Sequence, residues 1–104
     1  MTDQPPTAHT PVLLKEVVEL LSPQDGDVLL DCTLGRGGHA MALANNAKHI
    51  HVLGLDLDDE NRQSAESRLK ESGVSCQTAH DNFVRAPDQL AEAGLRANML
   101  IADL

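Results

Sequence analysis

Four apolar stretches of this chain each close on an acidic residue, and the first runs directly into a glycine-rich turn. Val28-Leu29-Leu30 closes on Asp31 and continues as Cys32-Thr33-Leu34-Gly35-Arg36-Gly37-Gly38-His39. The later stretches are residues 50–55 closing on Asp56, residues 76–80 closing on Asp81, and residues 99–102 closing on Asp103. Short apolar runs separated by helix-forming segments describe alternating strands and helices. If the strands are parallel, their carboxyl ends gather along one sheet edge, where open α/β folds bind ligands at the point of strand-order reversal.

The remaining segments fit that frame. Thr10 is placed to cap a helix with Pro11 at its first position, and Val12, Leu13, Leu14, Val17, Val18, Leu20 and Leu21 supply its apolar face. Ser22-Pro23 ends it. The pattern then predicts strand 28–30, helix 38–47 stopped around Asn45-Asn46, strand 49–55, helix 59–71, strand 76–80, helix 87–93 and strand 99–102. In the helix over 59–71, Ala65 and Leu69 share one face and Gly73 lies just past the end. A helix followed by β-α-β-α-β-α-β argues for right-handed crossovers in a doubly wound, mostly parallel sheet. Residues 1–8 read as a disordered polar tail and residues 9–104 as one domain. The last strand stops where a βα loop should begin, so the chain reads as truncated after its fourth strand. An uncovered apolar final strand predicts a marginal or aggregation-prone piece in isolation.

Charge narrows the function. A formal net charge of -8 and a pI near 4.8 are the opposite of what a domain needs to grip phosphates on its own, so any nucleic-acid contact must come from elsewhere. Glu60, Glu66, Glu71 and Glu92 read as solvated helix faces. Phe83 is the only aromatic residue, which leaves packing to Leu, Val, Ile, Ala and Met. Cys32 and Cys76 sit in separate apolar runs without CxxC spacing, which suits buried thiols in a reducing, cytosolic compartment. No apolar run reaches bilayer-spanning length, and residues 1–8 lack the features of a signal peptide, so no membrane partner is expected.

The glycine turn carries the chemistry. Gly35, Gly37 and Gly38 let backbone N–H groups approach a ligand and tolerate positive φ. Asp56 lies 56 − 35 = 21 residues beyond the first glycine, at the end of the next strand, where a carboxylate accepts both hydroxyls of a ribose. The alternative is a plain tight turn with Asp56 capping the following helix. Gly35-x-Gly37-x-x-Ala40 also satisfies a dinucleotide fingerprint, so an NAD- or FAD-binding domain competes with an S-adenosylmethionine-binding one. Asp31, four residues before Gly35, suits the ammonium and sulfonium charges of S-adenosylmethionine and repels a pyrophosphate; it also reads as a structural carboxylate at the helix start. Phe83 packs either on an adenine face or in the core. His49-x-His51 places two rings on one strand face, but without a third ligand at zinc-like spacing no metal is expected. His39 opens the helix after the glycines, in reach of a cofactor.

The strings His9-Thr10-Pro11-Val12-Leu13-Leu14-Lys15-Glu16-Val17 and Asp31-Cys32-Thr33-Leu34-Gly35-Arg36-Gly37-Gly38-His39 resemble the bacterial ribosomal RNA small-subunit methyltransferase H family. The similarity runs from His9 to the end of the chain. It implies a Rossmann-like class I methyltransferase fold and S-adenosyl-L-methionine-dependent methylation of a cytosine N4 amine in 16S rRNA. It implies cofactor-binding roles for Gly37, Gly38, His39, Asp56, Phe83 and Asp103. Asp103 is the one motif-matched candidate for a catalytic contribution, with cofactor placement favoured. Leu57 and Asp59 depart from the family's DRDP stretch, Ala40 from a usual Ser, and Asp81 and Val84 from HGNFS. The 16S rRNA and small ribosomal subunit are implied as partners through regions absent from this chain. A non-catalytic remnant of such a domain is the further alternative.

Overall fold

A computed structural model of the chain describes residues 11–102. Thr10 with its capping role, the tail over 1–8 and Asp103 lie outside the described residues. β1 (Val28–Asp31) takes the middle of a four-stranded sheet because its leucines find partners on both sides. β2 (His51–Asp56) pairs with it on one side and β4 (Met99–Ile101) on the other, and β3 (Ser75–His80) lies outside β2. All three pairings are parallel, in the order β3-β2-β1-β4. The register sets Asp31 opposite both Gly54 and Ile101, and Asp56 opposite His80.

Alternation along the strands divides the core into two layers. Leu29, Val52, Met99 and Ile101 pack on one side with Leu43 of α2 (Gly38–Ala44) and with Ala65 and Leu69 of α3 (Asp59–Glu71). Val17, Val18 and Leu21 of α1 (Pro11–Leu21) join this layer. Leu30, Leu53, Leu55 and Cys32 pack on the other side with Ala86 and Leu90 of α4 (Ala86–Ala93). Helices on both faces make the sheet doubly wound, and the order reverses between β1 and β4. Cys32 and Cys76 are free thiols that pack in opposite layers, and burial pushes both upward from the ordinary thiol value. No helix among the described residues is long and apolar enough to cross a membrane.

Element ends differ from expectation where a backbone twist intervenes. His49 adopts φ 59°, a left-handed conformation that cannot continue a strand, so β2 starts at His51. His49 and His51 therefore do not share a strand face, and the geometric premise of a paired-histidine site fails. Helix α2 ends at Ala44, earlier than the alanine run suggests, where Asn46 turns its side-chain amide back onto the Ala42 carbonyl at 2.7 Å. β3 gains Ser75, whose hydroxyl meets His51 Nδ1 at 2.6 Å, and α4 gains Ala86.

Helix α3 is strongly defined. The Asp58 side chain accepts from the Glu60 and Asn61 amides, acidic residues occupy its first turn and Arg68 and Lys70 its last. Glu66 ties it to β3, taking Lys70 Nζ at 2.8 Å, the Thr78 hydroxyl, and Arg62 Nη1 at 3.4 Å. The Lys70 hydrogen bond, then that of Thr78, holds the Glu66 carboxyl below its ordinary value of 4.5. A depressed folded-state value means that this stabilisation is complete above the unfolded value and disappears as pH falls through the folded one. Glu66→Gln is therefore expected to lose less stability than the parent between pH 6 and about 3, measured by chemical denaturation. Equal losses would show that the contact contributes nothing.

Candidate functional site

The turn from Asp31 to His39 joins the end of β1 to the start of α2. Asp31 is fully buried, and its Oδ1 accepts the Thr33 N–H at 3.1 Å, so its carboxylate organises the turn from beneath. That placement matches the structural-carboxylate reading; contact with a ligand's charges would require the turn to open. The Cys32 N–H donates to the Ile101 carbonyl at 2.8 Å, and the Leu34 N–H to the Leu55 carbonyl at 2.9 Å. The turn is thus stitched to the strands on either side of β1.

Gly35 and Gly37 carry φ of 57° and 86°, the left-handed region that the sequence reading anticipated for this turn. Gly38 instead begins α2 with an ordinary helical φ, and a Cβ built on it meets nothing within 4 Å. Gly37 lies against α3, where an added Cβ would sit 3.2 Å from the Ala65 Cβ. Arg68 of α3 reaches the same turn, donating from Nη1 to the Arg36 carbonyl at 2.6 Å.

Asp56 is brought directly to the glycines. Its Oδ2 accepts the Gly35 N–H at 2.6 Å and its Oδ1 accepts the Asp58 N–H at 2.7 Å. The 21-residue spacing therefore has a local structural cause: the carboxylate at the end of β2 clamps the first glycine. Helix capping falls to Asp58, not Asp56. Each carboxylate oxygen has a second lone-pair direction, so the clamp leaves acceptor capacity for further donors.

Phe83 stands in a short 3₁₀ turn (Phe83–Arg85) after β3, about half exposed and outside both core layers, which rules out the core-anchor reading. Asn82 shapes this turn by accepting the Val84 N–H at 2.9 Å. Asp81 next to it donates its N–H to the Asp56 carbonyl at 3.1 Å, which ties the ends of β2 and β3 together. His39 is half-buried and lines a groove with Val17, Leu21, Leu100 and Ile101, between α1 and β4. It thus lies across β1 from Asp56. The described residues bring Gly35, Gly37, Gly38 and Asp56 into one locus, with Phe83 at the β3 end and His39 at the β4 end of the same sheet edge.

Three contacts of this edge were not foreseen: the Asp56–Gly35 clamp, the Arg68 bond to Arg36, and a bond of 2.8 Å between His80 Nε2 and the Leu57 carbonyl. The glycine-to-acid spacing was the one available signal, and it pointed to the first of them.

The profile of the MraW methylase family matches residues 6–104. The chain belongs to the MraW methylase family. Among curated relatives, the ribosomal RNA small subunit methyltransferase H of Pseudothermotoga lettingae is 40% identical over 99 residues, covering 92% of this chain and 34% of that protein. The protein of the same name from Thermotoga neapolitana is 44% identical over 63 residues, covering 61% and 21%. This member of the MraW methylase family thus spans between 21% and 34% of the length of these relatives. Among solved structures, a SAM-dependent O-methyltransferase from Thermotoga maritima matches with a TM-score of 0.62 at 21% identity, over 70% of this chain and 29% of that one. That likeness shows a Rossmann-like fold for the matched part of this MraW family chain.

Proposed function

We propose that residues 9–104 form the amino-terminal, cofactor-holding part of a methyltransferase that transfers a methyl group from S-adenosyl-L-methionine to ribosomal RNA. The observation that carries this reading is the Asp56 carboxylate fastened to the glycine turn at Gly35, in a chain matched almost throughout by a methylase family. The residues fit the cofactor. A half-buried carboxylate with acceptor capacity suits vicinal ribose hydroxyls, open space over Gly38 suits close backbone approach, and a half-exposed Phe83 offers a face for adenine. The same glycines and Asp56 would also satisfy a dinucleotide fingerprint, so the match to a methylase family is what favours S-adenosylmethionine over NAD or FAD.

When bound, the sulfonium supplies an electrophilic methyl carbon. The chain's own part is positional: Gly37, Gly38 and His39 receive the amino-acid end, Asp56 the ribose, Phe83 the base, and Asp103 contributes to cofactor placement. The finer reading, carried by the family resemblance, is that the acceptor is N4 of a cytosine in 16S rRNA. That amine's lone pair is delocalised into the ring, so alignment of nitrogen, methyl carbon and sulfur is the main demand on the protein. The target base must leave its stack or lie in a single strand. With a net charge of -8, this part leaves RNA grip to the rest of the polypeptide.

Calorimetric titration of the full-length polypeptide with S-adenosylmethionine and with NAD tests the reading. Binding of the first alone is expected, weakened at least about tenfold by Asp56→Ala through loss of charge-assisted hydrogen bonds. NAD binding, or full affinity after Asp56→Ala, would overturn the assignment.

A further inference from the structure

The loop that follows Asp56 is held from an unexpected side. His80 ends β3 directly opposite Asp56 in the parallel ladder, and its Nε2 lies 2.8 Å from the carbonyl oxygen of Leu57. A carbonyl only accepts, so Nε2 carries the proton and donates in both the neutral and the charged ring. Nδ1 faces Asp59 Oδ1 at 3.9 Å. The Leu57 carbonyl belongs to the same planar peptide unit as the Asp58 N–H, and in a trans peptide these two groups point in opposite directions. No cis peptide bond occurs among the described residues. At the far end of that unit, the Asp58 N–H donates to Asp56 Oδ1 at 2.7 Å. One rigid plate thus connects the imidazole to the carboxylate, gripped at its oxygen by His80 and at its nitrogen by Asp56.

We propose that His80 is a positioning residue for Asp56, fixing the carboxylate's orientation toward the cofactor ribose through the peptide joining Leu57 to Asp58. This rests on the ribose-binding reading of Asp56 given above. The second carboxylate oxygen is set by Gly35 at 2.6 Å, so two independent backbone donors determine the plane of the acid. Without His80, the plate rotates about its flanking bonds, the Asp58 donor swings away, and Oδ1 loses the partner that orients its remaining lone pair. His80 itself need not touch the ligand.

The test uses the full-length polypeptide and S-adenosylhomocysteine, with thermal melting to confirm folding of each variant. His80→Ala is expected to weaken binding about five- to tenfold, the effect of losing one hydrogen bond. His80→Gln, whose amide nitrogen reaches the place of Nε2, is expected to restore most of that affinity. His80→Asn, whose amide reaches only the place of Nδ1, is not. A general packing role would not separate Gln from Asn. The decisive comparison is a ligand lacking both ribose hydroxyls, against which the His80→Ala penalty should vanish. If His80→Ala binds normally while Asp56→Ala is impaired, the positioning role is wrong and the ribose assignment stands. If Asp56→Ala also binds normally, the ribose assignment fails first. An equal His80→Ala penalty for both ligands would likewise overturn the proposal.

Discussion

Gly37→Val is expected to abolish binding of S-adenosylmethionine, with affinity falling more than about a hundredfold, because two separate costs meet at this residue. Its φ of 86° lies where an L side chain loses about 1–2 kcal/mol, and more when branched at Cβ. Its missing Cβ would also sit 3.2 Å from the Ala65 Cβ and 3.6 Å from the Ala65 Cα, so the turn must lift off α3. Rotation to a negative φ offers no escape. The Gly37 N–H already donates to the Leu34 carbonyl and its carbonyl accepts the Met41 N–H, both at 2.8 Å, so rotation breaks the turn or the first bond of α2. The amides of Gly38 and His39, which the proposed function assigns to the cofactor, would be displaced with it. Calorimetry with S-adenosylhomocysteine and thermal melting of the full-length protein separate lost binding from lost folding. Combining Gly37→Ala with Ala65→Gly removes the steric contact and keeps the backbone cost, so stability should return only in part. Wild-type affinity in Gly37→Val would refute the assignment of this turn to the cofactor.

The sheet and helices were legible because each carried a local signal that tertiary packing did not override. Helix α3 matches its expected span, 59–71, since an apolar pair at Ala65 and Leu69 and Gly73 beyond the end agree, and the structure adds the Asp58 cap that the sequence reading did not name. The start of β2 was not legible: nothing in the string around Lys48 marks His49 for a left-handed φ. At the site, sequence spacing located Asp56 relative to Gly35 but not the hydrogen bond between them, which depends on how far the turn folds back over β2. Asp31 shows the converse. Its charge suggested a ligand-facing role, while its complete burial follows from lying on the central strand between β2 and β4. Phe83 as sole aromatic was equally suited to core or surface, and only the 3₁₀ turn after Asn82 decides that it stays half exposed. The His80 contact depends on cross-strand register, which no local pattern encodes.

Gly54→Val is expected to cost at least about 3 kcal/mol of stability, the upper end for overpacking a filled core. Nothing in the sequence distinguishes this glycine from an ordinary strand residue, but the structure shows why no side chain fits. Gly54 is buried in β2 between Asp31 of β1 and Thr78 of β3. An added Cβ would lie 2.7 and 2.8 Å from the two Leu34 methyl carbons and 3.1 Å from its Cγ. Flexible side-chain ends normally yield to such a contact. Leu34 cannot, because it is 3% exposed and its N–H is bonded to the Leu55 carbonyl at 2.9 Å, leaving neither free volume nor a mobile backbone. The displacement therefore passes along the chain to Gly35 and its bond with Asp56, so cofactor affinity should fall together with stability. Gly54→Ala alone is expected to cost about 1–3 kcal/mol, and Leu34→Ala alone about 2–5 kcal/mol through its cavity. In the double variant the new methyl enters the space that Leu34 vacates, so the combined loss should be smaller than the sum, a coupling of about 1 kcal/mol or more by denaturant titration. Strict additivity, or a Gly54→Val protein that melts with the parent, would show that the turn is not seated on β2 by this contact.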